Sequence, residues 1–161
     1  MIHKRPVRDT DDSFLFELYA STRLSELKAW GWEETMQQQF LQLQWMAQKH
    51  SYATQYPDAE HSVIIYQNTP IGRIMVSIND ISITIVDITI LSDYRNEGIG
   101  TRIIQDLQAK AFSLSRTILL SVLPNNPALL LYERLGFHPI SRTGIHIRMK
   151  WTPTPSGVGP F

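Results

Sequence analysis

Apolar residues recur along this chain with two periods, and the switches between them mark its elements. Residues 2–8 read as a short strand. Asp9, Asp11 and Asp12 supply N-cap and first-turn acids for a helix over about 12–28. Within it Phe14 pairs with Leu18, and Leu15 with Tyr19, at i,i+4. Trp30-Gly31-Trp32 interrupts the pattern. A second helix over about 33–50 places Met36, Phe40, Leu43 and Ala47 on one face. Leu41, Trp45 and Tyr52 fall on nearly the opposite face. A helix apolar on two sides is covered on two sides, by the core and by something else. A ligand pocket, a loop or a partner chain, including a homodimer contact, all fit that second side.

The period then becomes two. A strand is expected over 62–66, a turn at Asn68-Thr69-Pro70, and a strand over 71–78 with Ile74, Val76 and Ile78 on one face. Asn79-Asp80 fits a two-residue hairpin turn. In the next strand, about 81–91, alternation begins on Ile81, Ile83 and Ile85 and moves to Val86, Ile88 and Ile90. A slip of one residue in a period-two element points to a β-bulge near 85–87, or to a strand buried on both faces. Asp87 sits in that apolar run. An acid there needs a partner, or its pKa rises and it becomes a candidate proton acceptor.

Ile99, Ile103, Leu107 and Ala111 mark a helix over 99–112, followed by a strand over 117–123. Pro124-Asn125-Asn126-Pro127 reads as a helix entry, and Gly136 as the C′ residue after Leu135. A strand follows over 137–141. Ile145, Ile147, Met149 and Trp151 alternate with polar residues in a last half-buried strand. The order is β, two helices, three antiparallel strands, α, β, α, β, β. That is an α/β, three-layer protein around one mixed central sheet.

Composition narrows the function classes. At 161 residues one domain is expected over 1–152, with a Pro- and Gly-rich flexible tail over 153–161. Formal net charge is zero, which gives no reason to expect a nucleic-acid partner. There is no cysteine, hence no disulfide, zinc-thiolate site or thiol nucleophile. No apolar leader or membrane-length run is present, so no membrane partner is expected and a cytoplasmic protein is the default. The five histidines show no ligand spacing, and no metal is expected.

Arg95, Asn96, Glu97, Gly98, Ile99, Gly100 and Thr101 join the end of a strand pattern to the start of a helical one. N–H groups in a first helical turn lack intrahelical partners and favour an anion, and glycine admits φ > 0 and close backbone approach. The turn is a phosphate cradle, or a tight βα turn that needs glycine for its own geometry. No Walker lysine follows Gly100, and Ile103 stands where a dinucleotide fingerprint needs a third glycine.

A second constellation follows one helix and one strand later: Asn125-x-x-Ala128-x-x-x-Tyr132-x-x-x-Gly136-Phe137. Together with Arg95-x-x-Gly98-x-Gly100 it resembles the GNAT superfamily of acyl-CoA-dependent N-acyltransferases. The resemblance is specific over about 81–137 and looser before that. It implies a GNAT-like fold, a mostly antiparallel mixed sheet with helices on both faces. It also implies acetyl-CoA as co-substrate and a small-molecule or peptide amine as acceptor. Residues 95–101 would hold the pyrophosphate, the backbone of Ile88, Thr89 and Ile90 would meet the pantetheine arm, and a bulge would splay this strand from 117–123. Asn125 would line the cofactor channel. Tyr132 would protonate the departing thiolate, and Asp87 is the best placed base. The acceptor would be met by Trp30, Trp32, Phe40, Tyr56 and residues 141–144. A non-catalytic acyl-CoA-binding module and a phosphate-binding protein are the competing readings.

Overall fold

The computed structural model describes residues 1–154. From residue 155 on, the expected flexible tail lies outside the described residues. The strands are β1 (Ile2–Pro6), β2 (Glu60–Tyr66), β3 (Thr69–Ile78), β4 (Ser82–Ile90), β5 (Thr117–Val122), β6 (His138–Thr143) and β7 (His146–Trp151). The helices are α1 (Asp12–Ser21), α2 (Leu24–Ala29), α3 (Glu34–Gln55), α4 (Ile99–Ser113) and α5 (Ala128–Arg134). The sheet order is β1-β2-β3-β4-β5-β7-β6. β4 and β5 run parallel, whereas β1–β2, β5–β7 and β6–β7 are antiparallel. The fold is therefore α/β with a mixed, mostly antiparallel sheet, as the periodicities require. Among the described residues no helix is long and apolar enough to cross a membrane, and no group of three or more His, Asp or Glu side chains is placed to hold a metal ion.

The described residues form two compact units, Met1–Ile74 with Ile88–Asp93, and Met75–Asp87 with residues 94–154. In the first, Leu15, Tyr19, Leu27, Leu41 and Trp45 form a core cluster that α1, α2 and α3 share. The single helix expected over 12–28 is broken after Ser21. The Ser21 hydroxyl donates to the Leu18 carbonyl and the Thr22 hydroxyl to the Tyr19 carbonyl, both at 2.7 Å. Such side chains compete with the helix backbone for its acceptors. Asp11 does not cap α1 with its side chain. Its buried carboxylate instead accepts two hydrogen bonds from the Arg5 guanidinium, at 2.7 and 2.8 Å, and one from the Arg8 N–H at 2.7 Å. Helix α3 runs beyond residue 50, to Gln55. Gln37, Leu41 and Trp45 face the core, while Met36 and Leu43 are exposed.

In the second unit α4 buries Ile99, Ile103, Ile104, Leu107, Gln108 and Ala111. β7 shows the expected alternation over Ile147, Met149 and Trp151, which are buried, but Ile145 is exposed in the turn before the strand rather than the first of its buried face. Asn79 replaces the expected two-residue hairpin by a turn of its own. Its Oδ1 accepts from the N–H groups of Ile81 at 2.8 Å and Ser82 at 2.9 Å. Ile81 is thereby left at the exposed turn tip rather than in the strand.

Candidate functional site

Strand β4 changes character halfway. Ser82, Ile83 and Ile85 are buried, and the register with β5 runs from Ser82 opposite Thr117 to Ile85 opposite Leu120. Both strands continue, β4 to Ile90 and β5 to Val122, but among the described residues their register goes no further. From Val86 to Ile90 every β4 residue is half-buried. Their register thus ends where the hydrophobic phase slips. Asp87 lies half-buried in this second half.

The glycine turn has the conformation its sequence calls for. Gly98 is the N-cap of α4 with φ +79°, and Asn96 also takes a positive φ of 64°. Both are left-handed values that Gly and Asn tolerate best. The Arg102 N–H donates to the Gly98 carbonyl at 3.0 Å. It closes the first helical turn and leaves the N–H groups of Ile99, Gly100 and Thr101 without intrahelical partners. Gly98 has no side chain with which to cap them, and the first turn carries no acid. A Cβ built on Gly98 would meet nothing within 4 Å, so the space before the helix is open. Arg95, Asn96, Glu97 and Gly98 are exposed, while Ile99 anchors the turn in the core. This is a positively polarised helix end, begun by a glycine, with room for an anion, and it fits a phosphate.

The spacing of Tyr132, Gly136 and Phe137 is the signature of a helix stop. The Phe137 N–H donates to the Tyr132 carbonyl at 3.0 Å and the Gly136 N–H to the Glu133 carbonyl at 3.1 Å. Gly136 takes φ +95°. This is a Schellman motif, with its apolar contact supplied by the Tyr132 and Phe137 rings, whose centroids are 5.8 Å apart. Gln108, fully buried on α4, donates from Nε2 to the Leu135 carbonyl at 2.8 Å and ties α4 to this stop. The cap therefore fixes where Tyr132 stands.

Tyr132 is only 6% exposed. Burial, and second the negative charge of Asp87, push its phenol up to about 12 from 10.0. The Asp87 charge is thus within electrostatic reach of a phenol far from it in sequence. At neutral pH the phenol holds its proton at Oη. Asn125 is exposed at the entry to α5, where its neighbour does the capping: Asn126 Oδ1 accepts from the Ala128 N–H at 2.9 Å.

One positioning residue escaped the sequence reading. A Cβ on Gly72 of β3 would strike the Thr89 carbonyl oxygen and come within 3.2 Å of the Ile90 Cα. Gly72 thus lets β3 lie against the stretch of β4 that holds Thr89 and Ile90. Its signal was a glycine inside a strand pattern, which marks close backbone approach. Trp30, Trp32 and Phe40 do gather, with Trp32–Phe40 centroids 5.1 Å apart and Trp30–Trp32 centroids 5.5 Å apart. Residues 141–144 are exposed at the β6–β7 hairpin. A cleft of about 620 Å³ opens between α1 and α3, lined among others by Asp12, Phe16, Glu17 and Trp45. It contains none of the glycine-turn residues, nor Asp87 or Tyr132, and has no part in the chemistry described here.

Solved structures share this architecture. PaiA N-acetyltransferase from Thermoplasma acidophilum, in complex with coenzyme A, is 16% identical with a TM-score of 0.70, over 94% of this chain and 99% of that one. Ribosomal-protein-S18-alanine N-acetyltransferase from Escherichia coli is 17% identical with a TM-score of 0.64, over 94% of each chain. A GNAT family acetyltransferase from Elizabethkingia anophelis with acetyl-CoA bound is 21% identical with a TM-score of 0.52, over 63% of this chain and 82% of that one. At these identities the likeness is one of fold. No curated protein matches the chain by sequence. The model of the acetyltransferase (GNAT) family matches residues 15–137, which takes in β4, the open end of α4 and the Tyr132 cap, and the chain belongs to that family.

Proposed function

We propose that this protein is an N-acetyltransferase that moves the acetyl group of acetyl-CoA to a primary amine of a small molecule or peptide. The observation that carries the proposal is the open N-terminus of α4 at a left-handed Gly98. The family supports the acetyl chemistry, and relatives of the same fold hold coenzyme A or acetyl-CoA.

Acetyl-CoA supplies the acetyl group as an activated thioester. The N–H groups of Ile99, Gly100 and Thr101 bind its pyrophosphate, with the exposed backbone of 95–98 around it. The half-buried residues Ile88, Thr89 and Ile90 offer backbone to the pantetheine arm, and Asn125 offers its amide. Asp87 accepts the proton that the amine loses. Tyr132 gives its Oη proton to the departing sulfur. The resting phenol, at about 12, is a poor match for a thiol near 8.5. Part of that mismatch comes from the Asp87 charge. When Asp87 takes up a proton the charge is gone, and the phenol becomes the better donor. Base and acid are coupled in the direction the reaction needs.

The test is release of free thiol from acetyl-CoA with a panel of amines and peptides. The protein has no cysteine, so the background is clean. Binding of acetyl-CoA without thiol release on any acceptor would reassign the protein as a non-catalytic acyl-CoA-binding module.

A further inference from the structure

The part of the sheet made by β5, β7 and β6 has two unlike faces. Ile118, Leu120, Val122, Ile147, Met149 and Trp151 are buried on one. Side chains alternate along a strand, so Leu119, Ser121, His146, Arg148 and Lys150 take the other. Cross-strand partners stand side by side on one face. The register therefore sets Arg148 between Ser121 of β5 and Ser141 of β6, and Lys150 between Leu119 and His138. Ser121 and Ser141 are exposed, and Arg148 and Lys150 are half-buried. The three strands hold no Asp or Glu. Among the described residues neither Arg148 nor Lys150 has an ion pair or a side-chain hydrogen bond.

β6 is irregular at this row. His138 lies opposite Lys150 and Pro139 opposite Met149, so a regular strand would put Ile140 opposite Arg148. A bulge between Pro139 and Ser141 passes over Ile140 and sets Ser141 there instead. Ile140 is left 50% exposed. Bulges re-aim side chains, and this one exchanges an apolar neighbour of Arg148 for a hydroxyl. A guanidinium between two hydroxyls, with an ammonium in the next row, is a donor set for a carboxylate or a phosphate. The row also starts beside the candidate site in the strand order. Ser121 follows the last β5 residue in register with β4, as Val86 and Asp87 follow the last on β4. We propose, resting on the acetyl transfer proposed above, that this row selects the acceptor: Arg148, with Ser121, Ser141 and Lys150, binds a carboxylate or phosphate carried by the amine. Arg148 and Lys150 are too few to follow a nucleic-acid backbone or an anionic membrane, which take longer basic runs. A single anionic group on a small acceptor needs no more.

Primary alkylamines that end in a methyl, a carboxylate or a phosphate group, matched in length over a series, test this by thiol release. Wild-type protein should favour an anionic amine over its methyl counterpart about tenfold or more in kcat/KM, and the series that leads names the group. Arg148→Met keeps the stem and removes the donors. It should bring that ratio close to one, through the KM of the anionic amine. Arg148→Lys keeps the charge without the planar fork and should recover only part of the preference. Ser141→Ala, at an exposed position where folding is little affected, should lower the ratio by a smaller factor. If no amine is acetylated, the function proposed above fails and the row is read by calorimetry: the anionic amines should still bind wild-type protein and not Arg148→Met. A preference for the anionic amine that is equal in wild type and Arg148→Met overturns the proposal. So does the absence of any such preference in both turnover and binding, whether or not the protein is then retained by duplex DNA or anionic vesicles.

Discussion

Replacing Tyr132 by Phe should flatten the alkaline limb of the stability curve. The change removes one hydroxyl and keeps the ring that packs on Phe137 at 5.8 Å. In the native chain the buried phenol titrates at about 12, against 10.0 for a free one. Below the lower value it is protonated in both states and contributes no pH dependence. Above it the unfolded chain ionises and the native chain does not. The native state then holds more protons, so stability falls as pH rises. At 1.36 kcal/mol per unit the loss reaches about 1.4 kcal/mol near pH 11 and about 2–3 kcal/mol once both forms have ionised. Urea melts of wild type and Tyr132→Phe over this range provide the measurement. Their difference should be flat at neutral pH and open above pH 10. The remaining tyrosines are common to both proteins and cancel. Asp87→Asn should narrow the gap, because it removes the second cause of the shift. Parallel curves for wild type and Tyr132→Phe would refute the placement of the phenol in a dry site within reach of the Asp87 charge. The same variant should lose about 10²–10⁴-fold in kcat with acetyl-CoA binding unchanged, as for a general acid that acts after binding.

Other substitutions probe the supporting elements. Gly98→Val forces a β-branched residue to φ +79° and should cost about 1–3 kcal/mol and most acetyl-CoA affinity, whereas Gly98→Asn should keep the fold; thermal melts with and without acetyl-CoA separate strain from ligand loss. Gly72→Ala pushes a Cβ into the Thr89 carbonyl and should destabilise by about 1–3 kcal/mol in urea melts; a neutral result would mean that the backbones are not as close as described. Asp11→Asn should remove an acid limb. The hydrogen-bonded Arg5 guanidinium, helped by the Arg8 N–H, holds the Asp11 carboxyl at about 2, below 3.8, against the opposing effect of burial. Its contribution is complete above 3.8 and disappears as pH falls through about 2. With Arg5 partly open to solvent it amounts to about 1–2 kcal/mol, read from acid melts of the two proteins.

Much of the fold is legible because burial imposes a period. β7 and the core face of α4 declare themselves, and so does Gly136, where only a left-handed residue closes the helix. The face that α3 turns inward is not legible. Periodicity defines both apolar stripes, but the choice between Leu41 and Leu43 is made by the partners Leu15, Tyr19 and Leu27. The break after Ser21 depends on two hydroxyls turning back on carbonyls, which also serve inside helices. Asp11 reads as a cap because acids before helices are caps, yet Arg5 reaches it from β1. At the site, the glycine turn is local and so is read directly. That the charge of Asp87 is felt at Tyr132, across β4, α4 and β5, is something no local rule predicts.

The most direct test follows the acetyl group itself. Purified protein, acetyl-CoA and the amine panel are sampled for acetylated amine by mass spectrometry and for free thiol. We expect one thiol released per amine acetylated, saturable in both substrates and at least about a hundredfold slower in Tyr132→Phe. No acetylated amine from any acceptor, under conditions where acetyl-CoA raises the melting temperature, would contradict the assignment of acetyl transfer.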